Sequence, residues 1–162
     1  MSNNTTPVLR RMPIGIQTFP DIVTENYAYV DKTALVHKLA NDTRHNFLSR
    51  PRRFGKSLLV STLKAYFQGK ADLFKGLDLE KLEPSIEDGG WRKHEVIHFD
   101  FSAGDFSQGD IITLYVRLDE TLVPLEEKYR IVQPKLYDYS SRFSKVIKTV
   151  AEHTGEPVVI LF

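Results

Sequence analysis

The sequence predicts an α/β domain, three-layered in outline, with a mostly parallel sheet. Three observations carry that expectation: a strand–loop–helix unit over residues 45–69, an alternating apolar run over 94–101, and a wholly apolar β-type run over 157–162 of the kind that parallel sheets bury on both faces. A chain of 162 residues that is 41% hydrophobic and 11% aromatic can bury one ordinary core. The expected organisation is a flexible segment over 1–12 and one domain over 13–162. A central strand at 157–162 would leave that domain incomplete at its C-terminus.

Taken in order, Tyr27, Ala28, Tyr29 and Val30 read as a short extended segment. Asp31 or Thr33 can then cap a helix whose apolar positions Leu35, Val36, Leu39 and Ala40 have helical spacing, ending near Asn41 and Asp42. His45 to Ser49 is the candidate strand before a basic loop, and Pro51 excludes helix through the loop itself. Leu58, Leu59, Thr62, Leu63, Tyr66 and Phe67 recur at three- and four-residue intervals, a helix that Gly69 stops. Residues 71–91 mix charge with Pro84, Gly89 and Gly90, and read as short helical turns in a surface connection. A second core strand is expected over 94–101. Ile111, Leu114, Tyr115, Leu118 and Leu122 predict a helix up to Pro124, and Phe143, Val146, Ile147 and Val150 predict another before the turn at 153–157.

Composition removes several function classes. Without cysteine there are no disulfides, thiolate metal sites or cysteine nucleophiles, which fits a reducing compartment, and the cytoplasm is the expected location. No stretch approaches the ~20 apolar residues of a membrane span, and the first twelve residues hold no signal-type apolar run. With 22 basic and 21 acidic side chains the net charge is +1, so any preference for phosphate must be local. The five histidines have no metal-ligand spacing with carboxylates, and no Ser–His–Asp set can be assigned.

The local excess of charge is Arg44, Arg50, Arg52, Arg53 and Lys56, with no carboxylate between them. Its end matches a phosphate-binding loop of the form G-x-x-x-x-G-K-[ST]. Gly55 lets the backbone curl so that N–H groups converge on an anion, and the following helix adds the positive end of its dipole. Lys56 would reach phosphate oxygens, and the Ser57 hydroxyl would ligate Mg2+. The departure is at the first position, where Arg50 replaces glycine. Other readings are a solvated basic turn, a partner-binding module using the basic loop, a non-functional gene fragment, or a contact to nucleic-acid phosphates, the last opposed by the near-zero net charge and the lack of interleaved aromatic platforms.

The chain also resembles a known family. P-I-G-I-Q-T-F at 13–19, N-Y-A-Y-V-D-K-T at 26–33, F-L-S-R-P-R-R-F-G-K-S-L-L at 47–59, A-Y-F-Q-G-K at 65–70, L-F-K-G-L at 73–77 and H-F-D-F-S at 98–102 are similar to the predicted AAA-ATPase-like family of bacteria and archaea. The resemblance implies a P-loop NTPase-like fold, ATP and Mg2+ as ligands, and S-R-P-R-R-F-G-K-S as a variant Walker A in which the missing glycine is normal. It implies a nucleotide contact for Arg50, Pro51, Arg52, Arg53, Phe54, Gly55, Lys56, Ser57 and Leu58, and a possible adenine contact for Tyr27, Tyr29 and Asp31. His98 and Asp100 could face the nucleotide edge of the sheet, although a satisfied strand position is the plainer reading. In similar proteins a Walker B segment of the form D-E-Y-D-K-P follows the last strand, and a PD-(D/E)XK nuclease-like domain often lies further on. The implied carboxylates for hydrolysis would then lie beyond Phe162, so this chain is expected to bind ATP and the longer protein, a possible homo-oligomer, to hydrolyse it.

Overall fold

The computed structural model describes residues 9–42, 44–51, 53–85, 87–102, 111–132 and 138–162. It mixes helix and strand in the order α1 (Phe19–Thr24), α2 (Thr33–Asp42), α3 (Lys56–Phe67), a 3-10 turn (Ala71–Phe74), α4 (Asp78–Leu82), β1 (Val96–His98), α5 (Ile111–Lys128), α6 (Tyr139–Thr154) and β2 (Val159–Leu161). Two compact units emerge: Met1–Tyr66 with Lys70–Trp91, and Phe67–Gly69 with Arg92–Phe162.

The first unit is built on aromatic side chains. Phe19 and Phe74, both fully buried, lie 4.9 Å apart between ring centres, and Tyr29, Tyr66 and Trp91 pack around them. Such rings bury large apolar areas, and truncating one to alanine costs roughly 3–5 kcal/mol. Helix α1 starts after Thr18 with a proline in its first turn, and its first N–H, that of Phe19, donates to Ser61 Oγ on α3 at 2.9 Å. Asp31 and Thr33 do start α2, and they also start α4: Asp31 accepts from the Thr33 and Asp78 N–H groups, and Thr33 Oγ1 accepts from that of Leu79 at 3.0 Å. Residues 71–91 are therefore more than a surface connection, because Phe74 and Leu79 are fully buried. The half-buried Glu83 carboxylate gathers the Tyr66 hydroxyl at 2.7 Å and the Trp91 N–H at 3.0 Å. At Gly90 any Cβ would fall against the Pro84 carbonyl, so only glycine fits there.

The second unit contains β1 and β2, paired in parallel with Val96 opposite Val159, Ile97 opposite Ile160 and His98 opposite Leu161. Ile97, Phe99, Leu122, Leu125, Val146 and Val150 form its core. Helix α6 is capped at both ends: Asp138 accepts from the Ser140 and Ser141 N–H groups, and Gly155 takes the left-handed C-cap conformation. Arg142 on α6, buried, forks onto Glu126 of α5 at 2.6 and 2.8 Å and also reaches Asp119. Glu95 accepts from Lys128 Nζ and the Tyr129 hydroxyl at 2.6 and 2.7 Å.

Further expectations need correction. The strand expected over 94–101 is confined to Val96–His98. Residues 45–49 are not a strand: they run as coil, with Phe47 93% exposed and Leu48 39% exposed, and an extended segment without a paired neighbour gains nothing from its ladder groups. Residues 157–162 do form a strand, but β2 is half-buried along its length and Phe162 is exposed, because a two-stranded sheet does not cover both faces. Helix α5 continues through Pro124 to Lys128. The proline removes one backbone hydrogen bond, and burial of Leu122 and Leu125 on either side holds the helix together across it. Among the described residues no helix is long and apolar enough to cross a membrane.

Candidate nucleotide-binding loop

The basic loop runs directly into α3. Pro51 restricts its start, Gly55 turns the chain at φ 74°, and the Gly55 carbonyl accepts the first helical bond from the Leu59 N–H at 3.0 Å. Lys56 is the first residue of the helix and Ser57 the second, and Ser57 is exposed. The leading N–H groups of a helix have no acceptor within it, so they face outward with the positive end of the dipole.

Lys56 does not extend into solvent. Its ammonium turns back across the loop and donates to the carbonyl of Arg50 and, at 3.0 Å, to that of Pro51. Two of its three protons are thus spent on the loop's own backbone, which fixes where the charge sits and leaves one donor for a ligand. The contact also accounts for the missing first glycine. At position 50 the atom that Lys56 engages is the main-chain oxygen, and the left-handed residues of the loop are Arg53 and Gly55, with φ of 65° and 74°. A side chain at Arg50 therefore meets no backbone objection.

Around this clamp the charge is uncompensated. Arg44 and Arg53 are exposed, Arg50 is half-buried, and no ion pair or hydrogen bond engages their side chains among the described residues. Phe54 is 64% exposed, and Leu58 is half-buried with its carbonyl accepting from Thr62 Oγ1 at 2.8 Å. Arg52 lies outside the described residues.

Of the three residues read as possible adenine contacts, Tyr29 and Asp31 are engaged inside the fold. Tyr29 packs edge-on to Phe19 with ring centres 5.4 Å apart; burial, then the nearby Asp31 carboxylate, raise its hydroxyl above the ordinary value against smaller opposing effects of Thr62 and the Lys32 backbone. Burial alone would raise the Asp31 carboxyl as well, but the N–H donors of Thr33 and Asp78, the Thr33 hydroxyl and Lys81 together hold it below the ordinary range. Tyr27 is half-buried. His98 and Asp100 stand at the end of β1, in the second unit. The Asp100 carboxylate is held low by the Ser102 hydroxyl and N–H, against a smaller effect of burial, which makes it a local turn acceptor. Sequence reasoning missed the Arg50 and Pro51 carbonyls and the left-handed backbone of Arg53, since main-chain atoms and dihedrals leave no residue-type signal.

The arrangement fits a polyphosphate with its cation: a pre-positioned ammonium, outward N–H groups, unpaired guanidinium side chains and an exposed hydroxyl at the second helical position. Comparison with known proteins bears on the same region. A family model described as Predicted AAA-ATPase matches residues 13–162. A relative described as "Uncharacterized protein in vnfD 5'region", from Azotobacter chroococcum mcd 1, is 36% identical over 154 residues, covering 94% of this chain and 28% of that protein. The chain thus spans little more than a quarter of that curated relative. No solved structure matches.

Proposed function

The chain belongs to the predicted AAA-ATPase family, and from that premise we propose that it binds Mg2+-ATP through residues 50–58 within a P-loop fold of three layers. The observation that carries the proposal is the Lys56 ammonium held between the Arg50 and Pro51 carbonyls at the start of α3. A lysine placed there acts as a fixed point charge for β- and γ-phosphate oxygens, while Gly55 and the helix start offer N–H donors. Ser57 would hold Mg2+, which screens charge between neighbouring phosphate oxygens. ATP hydrolysis, self-assembly and a downstream nuclease-like domain are proposals for the longer protein, in which Walker B carboxylates would polarise water. The test is titration of Mg2+-ATP into the chain and into Lys56→Ala, whose affinity should fall at least about tenfold for the loss of a charge-assisted contact.

One observation favours a second reading. Contrary to the expectation of no aromatic platform among the cations, Phe47 and Phe54 are exposed and interleaved with them, an arrangement that can stack nucleobases while arginines follow the backbone of a single strand. On that reading binding would fall steeply with salt, and Lys56→Ala would matter no more than Arg53→Ala.

A further inference from the structure

Arg53 occupies a position that its backbone does not suit. Its φ of 65° lies in the left-handed region, where a residue with a Cβ is disfavoured and glycine is not. Nothing inside the fold repays that cost, for the guanidinium is exposed and has no carboxylate or carbonyl partner among the described residues. The residue is also central to the loop: two positions before it, the Pro51 carbonyl takes the Lys56 ammonium, and two positions after it, the Gly55 carbonyl takes the first bond of α3. A left-handed residue carrying an unpaired fork of donors, tethered beside a lysine with one proton to spare, is a strained position of the kind that function retains.

We propose that Arg53 is the residue that makes this loop prefer a nucleoside triphosphate over a diphosphate, by donating to the terminal phosphate. The inference rests on the nucleotide-binding reading above and adds a specificity to it. Lys56 brings a single positive charge and one remaining donor against up to two negative charges on the γ-phosphate, whereas a guanidinium adds a second charge and two parallel donors to that group. The diphosphate lacks the group that Arg53 would meet.

The test compares Mg2+-bound AMP-PNP, an ATP mimic that resists hydrolysis, with Mg2+-ADP by calorimetry, alongside thermal unfolding of each variant. The unaltered chain should bind the triphosphate about tenfold or more tightly than the diphosphate, the worth of one charge-assisted contact. Arg53→Gly should weaken the triphosphate more than the diphosphate, bring the ratio close to one, and leave the melting temperature equal or higher because the left-handed strain is relieved. Arg53→Lys should recover part of the ratio. An unchanged ratio in Arg53→Gly, or a lower melting temperature with equal loss for both nucleotides, overturns the inference while leaving the nucleotide-binding reading intact. Undiminished affinity in Lys56→Ala contradicts that reading itself and removes this inference with it.

Discussion

Asp31 Oδ2 accepts the N–H of Asp78 at 2.7 Å, across 47 positions of sequence, while Oδ1 accepts the N–H and hydroxyl of Thr33 at 2.8 and 2.7 Å. One carboxylate therefore satisfies the starts of two helices, and α4 draws its cap from Asp31 and Thr33 because Leu77 at its own N-cap position has no side-chain acceptor. Asp31→Ala should destabilise the chain by roughly 1–2 kcal/mol, the worth of a lost N-cap. Urea denaturation measures it, and nucleotide affinity should change little if the residue has no part in holding adenine.

The same carboxylate contributes to acid stability. Asp31 titrates below its ordinary range when folded, as does Glu95, where burial pushes upward and the Lys128 and Tyr129 donors outweigh it. A depressed folded value means that the stabilisation is fully present above the unfolded carboxyl's range and is lost as pH falls through the folded value. Melting temperature followed from pH ~7 down to ~3 should fall on the acid side, and Asp31→Asn should flatten part of that fall.

Arg142 joins α5 to α6 from a buried position, and Glu126 beside it is also nearly enclosed, with side-chain exposures of 8% and 11%. Arg142→Ala would take the guanidinium fork away from the nearly enclosed Glu126 carboxylate and should cost roughly 3–5 kcal/mol. Asp119 is 42% exposed, so Asp119→Ala should cost much less. Comparison of the two unfolding curves checks the order.

Gly55 and Arg53 share a left-handed backbone, and substitutions at the two should act in opposite directions. A Cβ at Gly55 would meet nothing within 4 Å, so Gly55→Ala carries a dihedral cost of about 1–2 kcal/mol rather than a clash. Either the loop keeps its shape and stability falls, or the loop relaxes and Mg2+-ATP affinity falls. Thermal melting and calorimetry on one sample separate these outcomes.

Helices were the most legible part of this sequence: the spacing of Leu58, Leu59, Thr62, Leu63, Tyr66 and Phe67 signals α3 directly, although only Thr62 and Tyr66 of that set are buried. Helix α1 escaped notice although Thr18 and Pro20 mark a start, since six residues are too few for a period to appear. Residues 45–49 misled because an apolar centre signals a strand only when another strand lies alongside, and that depends on distant sequence. Phe74 and Leu79 were hidden in a segment whose charges and glycines suggested surface. The loop proposed to bind phosphate was legible in residue type at Gly55, Lys56 and Ser57, but not in its backbone geometry. That the Arg50 carbonyl accepts from Lys56, and that the left-handed positions of the loop are 53 and 55, are properties of the main chain.

Everything proposed for this loop depends on the lysine that bridges it. Calorimetric titration of Mg2+-ATP into the chain and into Lys56→Ala, with circular dichroism to establish that both are folded, is the most direct measurement. Saturable binding by the unaltered chain, weakened about tenfold or more in the variant, is the predicted result. Equal affinity in the two, or no binding by the unaltered chain, would contradict the account.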